Sequence, residues 1–329
     1  MALPEHDLNF KAMGSSIRVL SGPPAPATGG LDPEGAAAGV RAMIERYEAD
    51  LTRFDPASEL SRLNRDPRPI VPASGLMRSL VGAALWAADT TDGLVDPTVV
   101  GALEEAGYGR SLADSPSAPL AEALAAAPTR RPARPRSDSP WRLIAVDDEQ
   151  GTVTRPPGVR IDSGGVGKGL AADVAASMLA DRMRFCVSCG GDLRVGGPDA
   201  LADPYPVLIE DPFGGDPLLT LRVGSGAVAT SGLGKRVWQM PDGSFAHHLL
   251  DPSTGSPAWT GVLQVTALAE TALEAETLSK QVLLGGPRSI HLLERRGGVV
   301  VLDDCTVELV GPVSQAVRRG GMRLYEVPA

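Results

Sequence analysis

Apolar residues recur at Val40, Ile44, Tyr47 and Leu51, at spacings of four, three and four, which is one stripe of an amphipathic helix. Asp32-Pro33 ahead of the stripe supplies an N-cap with proline at the first helical position. Leu76, Leu80, Ala84 and Ala87 predict a second helix over 73–89, broken at Val95-Asp96-Pro97-Thr98. Leu170, Val174 and Met178 predict a third, and 271–284 carries the pattern of a fourth. The stretch from Thr52 to Asn64 reads as a turn running into a short helix. Strand-like runs fall at 10–20 (interrupted by Met13-Gly14-Ser15-Ser16), 141–146, 152–154, 184–188, 205–209, 218–223, 226–229, 263–268, 299–302 and 305–310. Strands that cluster after two N-terminal helices, with hairpins among them, predict a mixed α+β protein with a mostly antiparallel sheet flanked by helices.

The 329 residues are enough to bury a sizeable core, and one domain over 1–329 is expected. The stretch 111–139 is rich in Ala, Pro, Arg and Ser and is expected to be a flexible insertion, with no helix beyond Pro128. No internal repeat interrupts this plan.

A net charge of −9 argues against a nucleic-acid or anionic-membrane surface. It leaves room for a small anionic ligand, because a local nest of backbone N–H groups holds phosphate inside an acidic protein. Residues 1–11 lack a basic segment followed by an apolar one, and no apolar run approaches the ~18 residues of a membrane span, so a cytoplasmic protein is expected. Cys186 and Cys189 form a C-x-x-C, but inside an apolar strand-like run and without a second pair. They read as small buried hydrophobes, the alternative being a metal or redox site.

Chemistry concentrates in a few short stretches. The run Ala246-His247-His248-Leu249-Leu250-Asp251-Pro252-Ser253-Thr254-Gly255 fixes imidazoles and a carboxylate beside a tight turn, which suits proton transfer or phosphate contact. A hairpin end with a solvated histidine pair would use the same residues. Asp162-Ser163-Gly164-Gly165-Val166-Gly167-Lys168-Gly169 joins a strand to a helix and offers free N–H groups, a helix dipole and the Lys168 charge to an anion. It is neither a P-loop nor a G-x-G-x-x-G turn, and its glycines would equally serve close packing. Gly190-Gly191-Asp192 would let a flat ring approach, or would form a plain bulge. Thr230-Ser231-Gly232, followed by Lys235 and Arg236, suits a ribityl chain or a phosphate, or a capping turn. Glu276 and Lys280 share a helix face, either as an ordinary i,i+4 ion pair or with the carboxylate aimed at a cation or phosphate.

Taken in order, these pieces resemble the ApbE-type flavin transferases, which move FMN from FAD onto a protein threonine. The resemblance runs from Met13 to about Gly286, through Met13-Gly14-Ser15-Ser16, Ser58 to Asn64, Asp96-Pro97-Thr98, Asp162 to Gly169, Gly190-Gly191-Asp192, Ala229 to Gly232, His248 to Gly255 and Glu274-Ala275-Glu276. It implies a mixed α+β fold with an FAD cleft between subdomains, magnesium at the pyrophosphate, and phosphoryl transfer that releases AMP. By resemblance His248 and Asp251 are the catalytic candidates. Met13, Asn64, Asp96, Gly165, Lys168, Gly190, Gly191, Asp192, Thr230, Ser231, Gly232 and His248 are the FAD-binding ones. The family's metal ligands fall on Gly165, Glu276 and Lys280, where Glu replaces the usual Asp and Lys replaces the usual Thr. The implied partners are FAD and a flavin-acceptor protein with a target threonine. A non-catalytic FAD-binding or assembly protein, and an FAD pyrophosphatase making FMN and AMP, are the alternatives.

Overall fold

The computed structural model describes residues 5–26, 29–112, 115–318 and 324–326. Its centre is a ten-stranded sheet. Along the main path run β1 (His6–Ala12), β2 (Ser15–Ser21), β3 (Phe185–Cys189), β4 (Asp192–Gly196), β6 (Leu219–Gly232), β7 (Val262–Ala269), β8 (Gly298–Leu302) and β9 (Val307–Val310), with β5 (Tyr205–Ile209) paired to β6 off that path. Every neighbouring pair on the path is antiparallel. The final strand, Leu324–Glu326, joins β6 in parallel. The fold is therefore α+β and mostly antiparallel, as the alternation of strand signals predicts.

Five helices matter to the cleft: α1 (Pro33–Leu51), α2 (Glu59–Arg65), α3 (Gly75–Thr90), α4 (Gly167–Met178) and α5 (Ala272–Gly285). In α1 the Asp32 side chain caps the Gly35 N–H, and Val40, Ile44, Tyr47 and Leu51 are all buried. One core cluster joins α1, α3, α4 and the start of α5 to Ile17, Val19, Val187 and Cys189 on one face of the sheet. On the opposite face, Cys186, Val195 and Val228 pack with β5 and with Leu268 and Val299. Strand β7 is buried at all eight positions, because core covers it on both faces.

The strand expected over 10–20 is instead a hairpin, β1–β2, in which Ala12 pairs with Ser15. Met13 and Gly14 form its two-residue turn, both at positive φ (52° and 60°). The runs expected at 218–223 and 226–229 are one fourteen-residue strand, β6. The segment 111–139, expected to be a flexible insertion, makes specific contacts with the rest of the protein where it is described. A short helix, Leu120–Ala126, buries Leu120 and Ala123. Ala118 N–H donates to Val237 O at 2.8 Å, Ala133 N–H to Leu284 O at 2.8 Å and Arg131 N–H to Trp259 O at 3.0 Å. Backbone pairing of this kind needs no apolar pattern, which is why composition did not reveal it.

Cys186 and Cys189 lie on one strand, packed into the cores on opposite faces of the sheet, and both are free. Burial pushes the Cys186 thiol up to about 12, and Cys189 is shifted in the same direction for the same reason. They serve as small apolar residues, without thiolate character.

Candidate functional site

The glycine-rich turn is held from both sides. Asn64, on α2, brackets Ile161: its Nδ2 donates to Ile161 O at 2.8 Å and its Oδ1 accepts the Ile161 N–H at 2.7 Å. Asp162 N–H donates to Pro97 O at 2.8 Å. The Asp162 carboxylate accepts Arg53 Nε at 3.1 Å and the Gly164 N–H at 3.0 Å. Val166 caps α4 without a side-chain hydrogen bond; the Ser163 carbonyl accepts the Val166 and Gly167 N–H groups at 3.2 and 2.8 Å, so the start of this twelve-residue helix is largely satisfied from within. Gly165, Val166, Gly167 and Lys168 line a cleft of about 300 Å³. Gly169 works differently. A Cβ there would stand 2.6 Å from Ala272 O, so glycine lets α4 meet the start of α5. The close-packing reading holds at Gly169, and the Gly164, Val166, Gly167 and Gly169 N–H groups already have acceptors within the protein.

Helix α5 buries an unusual set of polar groups, with Glu276, Thr277, Ser279 and Lys280 all inside. The N–H groups of Ala272 and Leu273 donate to Asp173 of α4 at 2.8 and 2.9 Å, beside the Thr271 N-cap. One turn further, Glu276 Oε2 accepts the Gly169 N–H at 2.8 Å and Oε1 accepts Lys280 Nζ at 2.8 Å. Lys168 Nζ lies 2.5 Å from Asp192 Oδ2 and 4.0 Å from Glu276 Oε1. Burial opposes the Lys168 charge, but Asp192 and Glu276 outweigh it and hold the ammonium's pKa above its ordinary value.

These contacts correct the expectation of a magnesium site at Gly165, Glu276 and Lys280. Both Glu276 oxygens are engaged, and the third position carries an ammonium where a neutral oxygen donor is needed. A cation placed ~4 Å from that ammonium would be repelled by about 4 kcal/mol per unit charge at an effective dielectric near 20. Among the described residues no group of three or more His, Cys, Asp or Glu is arranged to hold a metal. The donor set does not fit Mg²⁺.

The histidine pair is presented by a small ribbon in which Val237–Gln239 pairs with Phe245–His247, Val237 opposite His247. That register brings Arg236 and His248 to the same end of the ribbon. Successive side chains of an extended chain point to opposite sides. His247 is accordingly fully buried, its ring edge-on to Trp259 at 4.7 Å, and burial drives its pKa down to about 3. His248 lines the cleft. Its pKa lies well below the ordinary imidazole value because of burial first, then the charges of Arg236, Lys280 and Lys168. It is a neutral imidazole near pH 7.

Three cleft-lining residues carry a buried polar atom with no partner: the Tyr47 hydroxyl, Asp96 Oδ2 and His248 Nδ1. Buried polar groups are normally paired, so such a concentration marks a place where a ligand completes the bonding. Burial also raises the Asp96 carboxyl, partly countered by two hydrogen bonds from Thr98. At the mouth, Arg53 lies over the rings of Phe54 (4.3 Å) and Tyr108 (4.7 Å), and Arg236 donates to the Tyr108 hydroxyl at 3.0 Å. Arg53 thereby holds the two rings in place beside the cleft, where Phe54 is the more exposed of the pair.

Of the residues singled out from the sequence, Met13, Asp96, Gly165, Lys168, His248 and Lys280 line the cleft together. The positive φ of Met13, uncommon for a non-glycine residue, is secured by its N–H bond to Glu48 Oε1 at 2.7 Å. The others stand outside the lining. Asn64 clamps Ile161, and Asp192 and Glu276 hold the lysines. Gly190 turns at φ 64°, where a Cβ would meet Ser15 at 2.7 Å, and Gly191 follows at φ 99°. Thr230 bonds Thr266 at 2.8 Å and Ser231 bonds Ser279 at 2.7 Å, while Gly232 packs on Leu263 O. Asp251 Oδ1 accepts from Arg134 N, Ser253 N and Ser253 Oγ, which fixes the turn after the histidines. Sequence reasoning left Tyr47, Arg53 and Asp162 without a site role. Tyr47 was absorbed by the apolar stripe, though a hydroxyl at the end of a core stripe is a usable signal.

Fold and site thus define an α+β protein whose cleft brings two lysines and an arginine together with a neutral histidine at a glycine-rich helix start. A family model described as the ApbE family matches residues 13–302, and the chain belongs to that family. An FAD:protein FMN transferase of Klebsiella pneumoniae is 28% identical over 274 residues, covering 82% of this chain and 76% of that one. The counterpart of Salmonella typhimurium is 27% identical over 308 residues, 89% and 82% of the two chains. The crystal structure of the ApbE protein of Thermotoga maritima superposes with a TM-score of 0.75 at 30% identity, covering 93% of this chain and 97% of that chain. The flavin transferase ApbE of Vibrio cholerae, with a TM-score of 0.72 at 20% identity over 95% and 99% of the chains, shares the fold.

Proposed function

We propose that the chain is an FAD:protein FMN transferase that attaches FMN to a threonine of an acceptor protein and releases AMP. The observation that carries this reading is the placement of neutral His248, with Nδ1 unpartnered, on the same cleft as Lys168, Lys280 and Arg236. The cations and the positive end of the α4 dipole suit a pyrophosphate, and the Phe54–Tyr108 pair suits a ring system. In the reaction the acceptor hydroxyl oxygen forms a bond to the FMN phosphorus, and the bridging P–O bond to AMP breaks. His248 takes the hydroxyl proton, and the ammonium and guanidinium groups balance charge on the phosphoryl oxygens and on departing AMP. Such a reaction depends on positioning and charge balance more than on covalent help.

The membership and the curated relatives' names support this reading, as does the gathering of Lys168, Lys280 and Arg236 on one cleft. Among the described residues no helix is long and apolar enough to cross a membrane. The test is incubation with FAD and a threonine-bearing flavin-acceptor domain, followed by in-gel flavin fluorescence and mass measurement. The acceptor should gain the mass of FMN less water, with AMP in equal amount. Free FMN and AMP with unmodified acceptor would instead mark a pyrophosphatase, and intact FAD a binding protein; either outcome overturns the proposal.

A further inference from the structure

We propose that Lys168 and Lys280 together take the charge-balancing place of a divalent cation at the ligand's pyrophosphate, so that this cleft binds FAD without a metal. The inference rests on the FAD reading above and is separable from it by experiment.

The two ammonium groups reach one point from two helices. Lys168 comes from the first turn of α4 and Lys280 from the middle of α5, and both approach Glu276 Oε1, at 4.0 and 2.8 Å. Both side chains line the cleft. An ammonium has three donors; Lys280 gives one to Glu276 and Lys168 one to Asp192, and the rest are available to phosphate oxygens. Each Glu276 oxygen already accepts a hydrogen bond, from Lys280 and from the Gly169 N–H, and the Lys280 ammonium opposes any metal cation approaching this fully buried carboxylate. Asp192, likewise buried, is turned to Lys168. The acids therefore anchor the lysines, and the lysines present positive charge to the cleft at the positive end of the α4 dipole. Arg236 adds a third cation on the same cleft.

The experiment is FAD titration of the full chain, followed by flavin fluorescence, after exhaustive chelation and again with magnesium added. The expected result is two dissociation constants that agree within about twofold. Lys280→Met should weaken FAD binding about tenfold or more while leaving riboflavin binding unchanged, because riboflavin carries no phosphate. Lys280→Arg should retain most of the affinity. The paired change Glu276→Asp with Lys280→Thr keeps the helix filled and supplies oxygen donors; it should bind FAD weakly after chelation and recover with magnesium. Wild-type binding that collapses on chelation and returns with magnesium would overturn the metal-free reading and leave the transferase reading standing. FAD that binds under neither condition would overturn both.

Discussion

Glu276 Oε2 accepts the backbone N–H of Gly169 at 2.8 Å, which joins the helices that carry Lys168 and Lys280 one turn beyond the Asp173 carboxylate that also links them. The bond exists only because α4 approaches α5 without a side chain at 169, where a Cβ would lie 2.6 Å from Ala272 O and 2.8 Å from Leu273 N. Both obstacles are backbone and cannot rotate away. Gly169→Ala should therefore destabilise the protein by about 1–3 kcal/mol, the usual cost of overpacking, although alanine is the better helix former. Urea unfolding of the two proteins checks this; a variant as stable as wild type would show that the helices separate at no cost.

Asn64 separates two accounts of one residue. As a flavin wall, which the resemblance implies, its loss would weaken FAD binding and leave stability alone. As the clamp on Ile161, with contacts of 2.8 and 2.7 Å, its loss strands a partly buried N–H and C=O. Asn64→Ala should then cost about 1–3 kcal/mol of stability. Urea midpoints measured beside an FAD titration decide between the two.

Those two residues show where the sequence was legible. The α1 stripe, the Asp32 cap and the boundaries of α3 and α5 were readable, because periodicity and capping are local physics. The order of motifs identified the family, and with it the cleft that joins Met13, Lys168 and His248. Hidden were the directions of side chains and the uses of backbone. Asp251 has the composition of a catalytic acid, yet its Oδ1 accepts three hydrogen bonds that organise a turn. Gly224-Ser225 looked like a break between strands, but β6 runs through it and on through Gly226 at φ 95°. The Lys substitution at 280 was visible as a departure, whereas only the geometry shows that Glu276 turns to it.

His247 makes stability depend on pH in a defined direction. Its pKa is about 3 when folded against 6.5 for the free side chain, so between those values the unfolded chain holds the extra proton. Stability is full above the free value and declines as pH falls below it, by up to about 1.4 kcal/mol per unit for this group. Phenylalanine preserves a ring edge toward Trp259 without a titrating nitrogen. His247→Phe should show a smaller loss of stability than wild type when urea midpoints are compared from about pH 7.5 down to about pH 5.5. Parallel declines would mean that the buried imidazole is not the source.

His248 tests the chemistry itself. Burial and the neighbouring cations keep it neutral, so it is ready to accept a proton from an acceptor hydroxyl throughout the neutral range. For kcat/KM, which reports the free enzyme, the profile should stay flat between about pH 6 and 8 and fall only below the ordinary imidazole range. His248→Ala should lower flavin transfer by about 10²–10⁴-fold, the usual contribution of a general base. FAD affinity should change little, since the cations and the α4 N-terminus remain. A variant that loses FAD binding as steeply as turnover would reassign His248 to holding the ligand. A wild-type profile that rises through pH 6–7 would show that the imidazole is charged at rest, and the proton would then need another acceptor.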